Sequence, residues 1–212
     1  MAEFEFKTEI HLVKLLGLRA RNLRELYEIL KTVPLSCVYY HTHRFLKQHH
    51  FLSPEPPNDF AYWIKNKLNI KDLAEAMASV DTVKFSKLED LRNELCLKIE
   101  DWLKLNLPVN NCPEEEAFHF MSCQTFVLPT GERAGNLMEF IEKIKNVDIN
   151  SIYFHIFEAR LRLKKEQNDF QAWLSEIGER EVAKKLLNLD PYNMTLENLR
   201  KKIIRIISGD KK

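Results

Sequence analysis

Apolar and polar positions alternate in two segments of the chain, and a period of two is typical of a β-strand. The first segment begins with Phe4 and Phe6, and the second begins with Phe118 and Phe120. A glycine follows the first phenylalanine of each segment by thirteen residues. We expect this glycine to turn the chain into the next element, because glycine is a frequent turn former.

After each strand the apolar spacing changes to three and four residues, which predicts a series of five helices. Residues that cap helices stand where these patterns begin. The predicted caps are Asn22, Ser36 and Asn58 in the first series, and Asn136, Asn150, Asn168 and Thr195 in the second. The long fifth helix of the first series is predicted to open with a capping box formed by Ser86 and Glu89.

The two series repeat at a constant distance along the chain. Residues 4–46 match residues 118–160 at an ungapped offset of 114, and 14 of these 43 positions are identical. Chance would give roughly one match in sixteen for typical composition. We therefore interpret the chain as a tandem duplication, with a first repeat at 1–106, a linker at 107–116 and a second repeat at 117–212.

The fold class expected from these patterns is α+β and predominantly helical, with one strand and five helices in each repeat. We expect the repeats to pack around a pseudo-twofold axis as one compact unit, as a homodimer fused into one chain would. The phenylalanines that open the two strands are expected to contribute to a shared core.

Composition excludes several classes of protein. In this chain of 212 residues, 32 Lys and Arg against 31 Asp and Glu leave a net charge of +1, without the positive excess of nucleic-acid-binding domains. No segment has 18 consecutive apolar residues, so neither a membrane span nor a signal peptide is predicted. The four cysteines include no CxxC pair, which is typical of reduced thiols. We expect a cytoplasmic protein that binds neither nucleic acid nor membranes.

Several segments of the second repeat resemble a known prokaryotic family. The stretches SCQTFVLPTGERAGNL, IYFHIFEARLRL, NDFQAWL and LENLR are similar to the family catalogued as domain of unknown function 5752. The resemblance covers nearly the whole chain. It implies a helix-rich domain, but no activity, cofactor or catalytic residue. The first repeat departs from the pattern, because it has TEIHLVKLLGLRA where the second has CQTFVLPTGERA.

Four of the seven histidines lie between His41 and His50, and such a cluster is a candidate metal site. On one helix His43 and His50 would share a face, but two turns separate them by about 10 Å, so an ion would need a further ligand. Only His41 has a histidine counterpart, His155, in the second repeat. We therefore expect no metal cofactor. The alternative is a divalent ion such as zinc bound by His43, His49 and His50.

Each repeat has a small polar residue four positions before this shared histidine and an aspartate after it. The sets are Cys37, His41 and Asp59 in the first repeat, and Ser151, His155 and Asp169 in the second. A nucleophile, a base and an orienting acid would have this composition, so the histidines and aspartates are candidate catalytic residues. The interpretation that we prefer is structural, with each histidine buried and hydrogen-bonded to the aspartate of its own repeat.

Four further residues are candidates for ligand binding. Arg92 and Arg200 lie in the repeated LExLR motif and could bind phosphate, although an arginine more often pairs with a carboxylate or with backbone carbonyls. Thr130 and Arg133 lie in the segment VLPTGER. This segment could present backbone amides to an anion, although Pro-Thr-Gly more often makes only a turn.

These observations favour a non-catalytic binding or regulatory module over an enzyme. We expect the module to dock a protein partner or a small ligand between its two halves, and it could form a homo-oligomer. The alternative is a metal-dependent hydrolase in which an ion held by the histidine cluster activates water.

Overall fold

The computed structural model of the protein describes residues 3–45, 57–159, 161, 167–186, 189 and 194–209. Over these residues the chain is predominantly helical and has two long β-strands, so the predicted α+β class is confirmed. No helix within the described part of the chain is long and apolar enough to cross a membrane.

The two strands are longer than the alternation predicts. Strand β1 (Phe4–Ala20) and strand β2 (Phe118–Ala134) pair in an antiparallel two-stranded sheet. Gly17 and Gly131 lie inside the strands at φ values of +73° and +84°, which glycine adopts without the steric cost that a side chain would add. The prediction that a glycine turns the chain is therefore wrong, and the Pro-Thr-Gly segment is part of β2.

Among the described residues, five α-helices follow each strand. After β1 these are α1 (Leu23–Thr32), α2 (Leu35–Tyr39), α3 (Asp59–Asn66), α4 (Lys71–Ala78) and α5 (Leu88–Leu103). After β2 they are α6 (Leu137–Asn146), α7 (Ile149–Tyr153), α8 (Asp169–Glu176), α9 (Arg180–Lys185) and α10 (Leu196–Ser208). Helices α2 and α7 continue directly into π-helices at Tyr40–Arg44 and Phe154–Glu158. Short 3-10 helices lie at Thr82–Lys84 and Glu114–Glu116.

Most of the predicted caps are confirmed. In each case the side chain of the cap accepts a hydrogen bond from the backbone N–H three residues later, which satisfies a group that the helix leaves unpaired. The confirmed caps are Asn22, Asn58, Asn136, Asn168 and Thr195.

Three predicted helix starts are wrong. Helices α2 and α7 begin one residue before Ser36 and Asn150, directly after Pro34 and Asp148. Proline and aspartate both suit the position before a helix, because proline restricts φ and the Asp148 carboxylate accepts the N–H of Asn150. Helix α5 begins after Lys87 without a side-chain cap, so Ser86 stands too early to form the capping box.

The chain divides into two compact packing units, and neither coincides with one half of the sequence. The terminal unit contains the described residues up to Ile10 and those from Thr125 onward, whereas the central unit contains those from His11 to Gln124. Each unit therefore has helices from one half of the sequence and the first residues of the strand that begins the other half.

The core of the central unit forms where helices α1, α2 and α4 pack on α5. Leu26, Ile64 and Leu95 are fully buried there, and Phe118 and Phe120 from β2 belong to the same apolar cluster. The rings of Phe118 and Phe120 lie 5.0 Å apart in an edge-to-face arrangement, which aromatic pairs prefer. Phe118 and Phe120 are therefore core residues, but their cluster does not include Phe4 and Phe6, with which they were expected to share one core.

The core of the terminal unit forms where helices α6, α7 and α9 pack on α10. Phe4 and Phe6 from β1 contact Phe140, with ring centroids 5.2 and 5.3 Å away, and Phe4 also contacts Phe170 at 5.3 Å. Phe6 and Phe140 are fully buried. The first residues of β1 are thus core residues of the terminal unit, packed on helices that come from the other half of the sequence.

The segment 107–116, which we expect to be a linker, is bound to the central unit by several hydrogen bonds. The backbone N–H of Cys112 donates to the carbonyl oxygen of Arg21 at 2.7 Å. The indole N–H of Trp63 donates to the carbonyl oxygen of Glu116 at 2.7 Å, and the Lys67 ammonium lies 2.9 Å from the Glu116 carboxylate. These contacts fix the path of the chain into β2.

Candidate functional site

The two histidines that the offset of 114 aligns lie in the two π-helices, which continue α2 and α7. His41 lies in Tyr40–Arg44 and His155 in Phe154–Glu158. Short π-helices are rare and occur often at functional sites. Both imidazoles are almost completely buried, at 1% and 3% exposure. A molecule in solution therefore cannot contact them in this conformation.

In the central unit, His41 connects a helix to a strand. Its Nδ1 lies 2.6 Å from Oδ2 of Asp59, and its Nε2 accepts the backbone N–H of Met121 at 2.9 Å. Asp59 is the first residue of α3, directly after its cap Asn58, where the helix dipole stabilises a negative charge. His41 thereby holds the beginning of β2 to the N-terminus of α3.

In the terminal unit, His155 makes the same connection. Its Nδ1 lies 2.7 Å from Oδ2 of Asp169, the first residue of α8, and its Nε2 accepts the backbone N–H of Lys7 at 2.8 Å. The predicted pairing of each histidine with the aspartate of its own repeat is confirmed. The backbone amide that completes each arrangement was not predicted, and it comes from the strand that begins the other half of the sequence.

Aromatic rings surround both histidines. The His41 ring lies 4.6 Å from Phe118 and 5.3 Å from Phe60. The His155 ring lies 4.8 Å from Phe4. Such rings exclude water from the imidazoles, and a polar group without water must find its hydrogen bonds within the protein.

These contacts determine which nitrogen of each ring carries a proton. A backbone N–H can only donate, so the Nε2 atoms of His41 and His155 must accept and are unprotonated. Nδ1 then carries the proton and donates to Asp59 or Asp169. Both nitrogens of each ring are engaged inside the fold, and neither offers a lone pair to a substrate or a metal ion.

The residues four positions before these histidines do not act as nucleophiles in this arrangement. Cys37 is fully buried, and burial, with smaller effects from Cys123 and Asp59, raises the pKa of its thiol to about 12. Only a thiolate is a strong nucleophile. Ser151 is also fully buried, and its hydroxyl has no hydrogen-bond partner within the described residues. Neither residue can transfer a proton to Nε2, because that atom accepts a backbone amide.

The histidine cluster proposed as an alternative metal site is only partly described. His43 is fully buried, its ring is stacked on Tyr39 at 5.6 Å, and its Nδ1 lies 3.1 Å from the hydroxyl of Thr42. His49 and His50 lie outside the described residues. Among the residues that are described, no three His, Cys, Asp or Glu side chains are grouped closely enough to hold an ion.

The two candidate arginines both donate hydrogen bonds to backbone carbonyls near helix ends. Arg92 donates to the carbonyl oxygen of Val33, just beyond α1, at 3.4 Å. Arg200 donates to the carbonyl oxygens of Ile144 and Lys145 at 3.1 and 2.8 Å, near the end of α6. A cation at a helix C-terminus satisfies carbonyls that the helix leaves unpaired. Both arginines have the capping role that the sequence favours.

Thr130 and Arg133 connect β2 to the beginning of β1 within the terminal unit. The Thr130 hydroxyl donates to the carbonyl oxygen of Phe6 at 2.8 Å. The Arg133 guanidinium lies 3.2 Å from the Glu5 carboxylate and 3.6 Å from that of Glu3. The hydroxyl also accepts the backbone N–H of Glu132. These contacts give both residues a role in the fold.

An apolar surface on β1 was not predicted from the sequence. Leu12, Val13, Leu15 and Leu18 are 63%, 36%, 56% and 42% exposed. Consecutive residues of a strand point to opposite faces, so the adjacent Leu12 and Val13 show that both faces of β1 are open here. We call these four residues the β1 apolar segment, and all four belong to the central unit.

Strand β2 exposes a similar but shorter run within the terminal unit. Phe126, Val127 and Leu128 are between 41% and 46% exposed. The offset of 114 aligns Phe126 with Leu12 and Val127 with Val13. Large contiguous apolar patches on a protein surface often mark sites of interaction.

The comparisons with known proteins identify a family and a solved structure. A family model described as "Family of unknown function (DUF5752)" matches residues 1–208. The chain is similar to the protein in "The structure of OrfY from Thermoproteus tenax", with a TM-score of 0.82 and 28% sequence identity. That match covers 98% of this chain and 95% of the other. No curated protein is significantly similar in sequence.

Proposed function

We propose that this chain, which belongs to the family of unknown function DUF5752, is a non-catalytic module that binds a protein partner. The observation that carries the proposal is the double engagement of His41 and His155, whose ring nitrogens both bind groups of the fold. These are the histidines that the repeats share, and histidine is the residue that most often acts as a general acid or base. Their geometry supports a role in holding the strands.

The non-catalytic part of the proposal follows from what general acid–base catalysis requires. A catalytic base must reach a substrate proton through a free lone pair. In both arrangements the lone pair of Nε2 is used by a backbone amide, and the ring is buried. A substrate could reach it only after the strand had left the helix.

The binding part of the proposal is supported by the exposed apolar residues of the strands. Small ligands bind in concave sites that enclose them, whereas an open strand presents a flat surface and unpaired backbone groups. A protein partner fits such a surface better than a small ligand. The anchored strand beginnings support this use, because they fix the position of the exposed residues that follow.

We also propose that the chain is a tandem duplication of one unit. Three observations support it: the ungapped sequence register, the repeated order of strand and helices, and the two equivalent arrangements of histidine, aspartate and backbone amide. A cytoplasmic location remains part of the proposal, since four cysteines without a CxxC pair are typical of a reducing compartment.

Metal analysis distinguishes the proposed module from a metal-dependent hydrolase. Untagged protein, dialysed and analysed by mass spectrometry for zinc, manganese and iron, is expected to hold less than about one tenth of an equivalent. The His43→Phe variant should give the same value as the wild-type chain. Stoichiometric metal that survives dialysis and disappears in His43→Phe would overturn the non-catalytic proposal.

A further inference from the structure

We infer that the β1 apolar segment binds a second copy of this chain, through antiparallel pairing of the two β1 edges. The inference rests on the proposed function, because it names the partner that the exposed segment binds. It concerns residues 12–18 of the central unit.

One edge of β1 has no neighbouring strand among the described residues. In the part of the chain that the structure describes, the sheet has two strands, and no backbone hydrogen bond joins residues 12–18 to a segment other than β2. A strand with one paired side presents N–H and C=O groups on its other side. Two-stranded sheets are only marginally stable in water, and additional strands stabilise them.

The composition of this edge favours pairing. Natural edge strands are usually protected by charged side chains or proline. Residues 12–18 contain a single charge, on Lys14, and no proline. The corresponding part of β2 has Pro129 directly after its exposed residues, and proline lacks the N–H that an added strand would bind. The β1 edge is therefore the better candidate of the two.

The arrangement of leucines makes a second copy a suitable occupant. A twofold contact requires a surface that is complementary to itself. Leu12 and Leu18 lie three residues on either side of Leu15, so antiparallel pairing centred on Leu15 places each Leu12 beside Leu18 of the other copy. The same register places Lys14 beside Leu16, which keeps the two lysines from standing directly opposite each other.

Sedimentation of the full chain tests whether the segment mediates self-association. We expect a dimer that dissociates on dilution, and a Leu12→Lys/Leu15→Lys variant whose dissociation constant is raised at least about tenfold. Met138→Lys is the matched control, because Met138 is 82% exposed on helix α6. It should dimerise like the wild-type chain. A chain that is monomeric at every concentration, or a dimer that the double substitution leaves intact, would overturn the inference.

A crosslinking experiment tests the proposed register and does not depend on the double variant folding. The Leu15→Cys variant should form a disulfide-linked dimer under mild oxidation, because pairing centred on this position brings the two introduced thiols together. The Met138→Cys variant should remain uncrosslinked. A dimer without this crosslink would overturn the pairing centred on Leu15. A chain that stays monomeric would overturn only the inference that the partner is a second copy. The proposed non-catalytic function is tested separately, by the metal analysis described above.

Discussion

The first residues of strand β1 and its middle residues have opposite environments. In the terminal unit, Phe4 and Phe6 are buried among aromatic rings, and the amide of Lys7 is bound by His155. In the central unit, Leu12 and Leu15 of the same strand are more than half exposed. The contrast indicates that the beginning of the strand is anchored in a core, whereas in its middle Leu16 packs against the core of the central unit and its apolar neighbours Leu12 and Leu15 are left exposed.

Strand β2 shows the same contrast between buried first residues and exposed middle residues. The arrangement of β1 is therefore not an isolated case. Phe118 and Phe120 are buried in the central unit, and His41 binds the amide of Met121. Phe126 and Val127, in the terminal unit, are exposed. The two histidine arrangements also agree closely in their hydrogen-bond distances, at 2.6 and 2.7 Å to aspartate.

The largest expected effect comes from truncating a strand beginning. Phe120→Ala should lower the free energy of unfolding by about 3 to 5 kcal/mol, because it leaves a cavity in the core of the central unit. Leu12→Ala, in the middle of β1, should change it by no more than about 0.5 kcal/mol. Urea unfolding followed by circular dichroism measures both values. Equal losses for the two substitutions would remove the contrast between anchored and exposed residues.

A smaller loss of free energy of unfolding is expected when the hydrogen bond between a histidine and its strand is removed. His155→Phe should cost about 1 to 3 kcal/mol, because it leaves the Asp169 carboxylate and the Lys7 amide without their hydrogen bonds to the ring. His119→Phe is the matched control, since His119 is exposed on β2, and it should be close to neutral. An unchanged melting temperature for His155→Phe would show that the imidazole does not stabilise the fold.

The buried thiol of Cys37 should make stability depend on alkaline pH. Its pKa of about 12 in the folded chain lies above the ordinary value of 9.0, so the unfolded chain loses the proton first. The contribution of the protonated thiol is therefore complete below pH 9.0 and is lost between pH 9.0 and about 12, by up to about 1.4 kcal/mol per pH unit. The Cys37→Ala variant should have a shallower slope, because the part that remains comes from Cys96, whose pKa burial raises to about 11. The prediction would be contradicted if the free energy of unfolding fell equally with pH in the wild-type chain and in Cys37→Ala.

The smallest expected change is a gain in stability at the position equivalent to Cys37. The buried hydroxyl of Ser151 has no hydrogen-bond partner among the described residues, and such a group costs about 1 to 3 kcal/mol. Ser151→Cys introduces the residue found at the aligned position 37, and it should raise the free energy of unfolding by about 1 kcal/mol. Thermal unfolding measures the gain. A destabilised variant would mean that the hydroxyl contributes to the core.

The helix caps and the histidine–aspartate pairs could be predicted because local patterns determine them. Asn22 and Asn136 stand before helical spacing, and repetition of the sequence distinguishes His41 from the other histidines of its cluster. The backbone amide of Lys7 could not be predicted. It lies 148 residues from His155 in the sequence. Every residue other than proline has a backbone amide, so the sequence does not indicate which one binds the histidine.

The length of β1 was underestimated for a related reason. Alternation identifies a strand only when one of its faces is buried, and it fails in the run LVKLLGL, where Leu12 and Val13 are both exposed. The same run contains the signal that was missed. An apolar stretch without alternation, next to a strand and too short for a helix, is consistent with a strand that is open on both faces. The π-helices have no recognisable sequence pattern.

The most direct test of the account is the protonation of the two shared imidazoles, observed by nitrogen NMR on the intact protein at neutral pH. We predict that His41 and His155 are both neutral, with the proton on Nδ1. We also predict scalar coupling across the hydrogen bonds that join their Nε2 atoms to the amides of Met121 and Lys7. A proton on Nε2 of either ring would contradict the claim that these histidines hold the strands and are closed to catalysis.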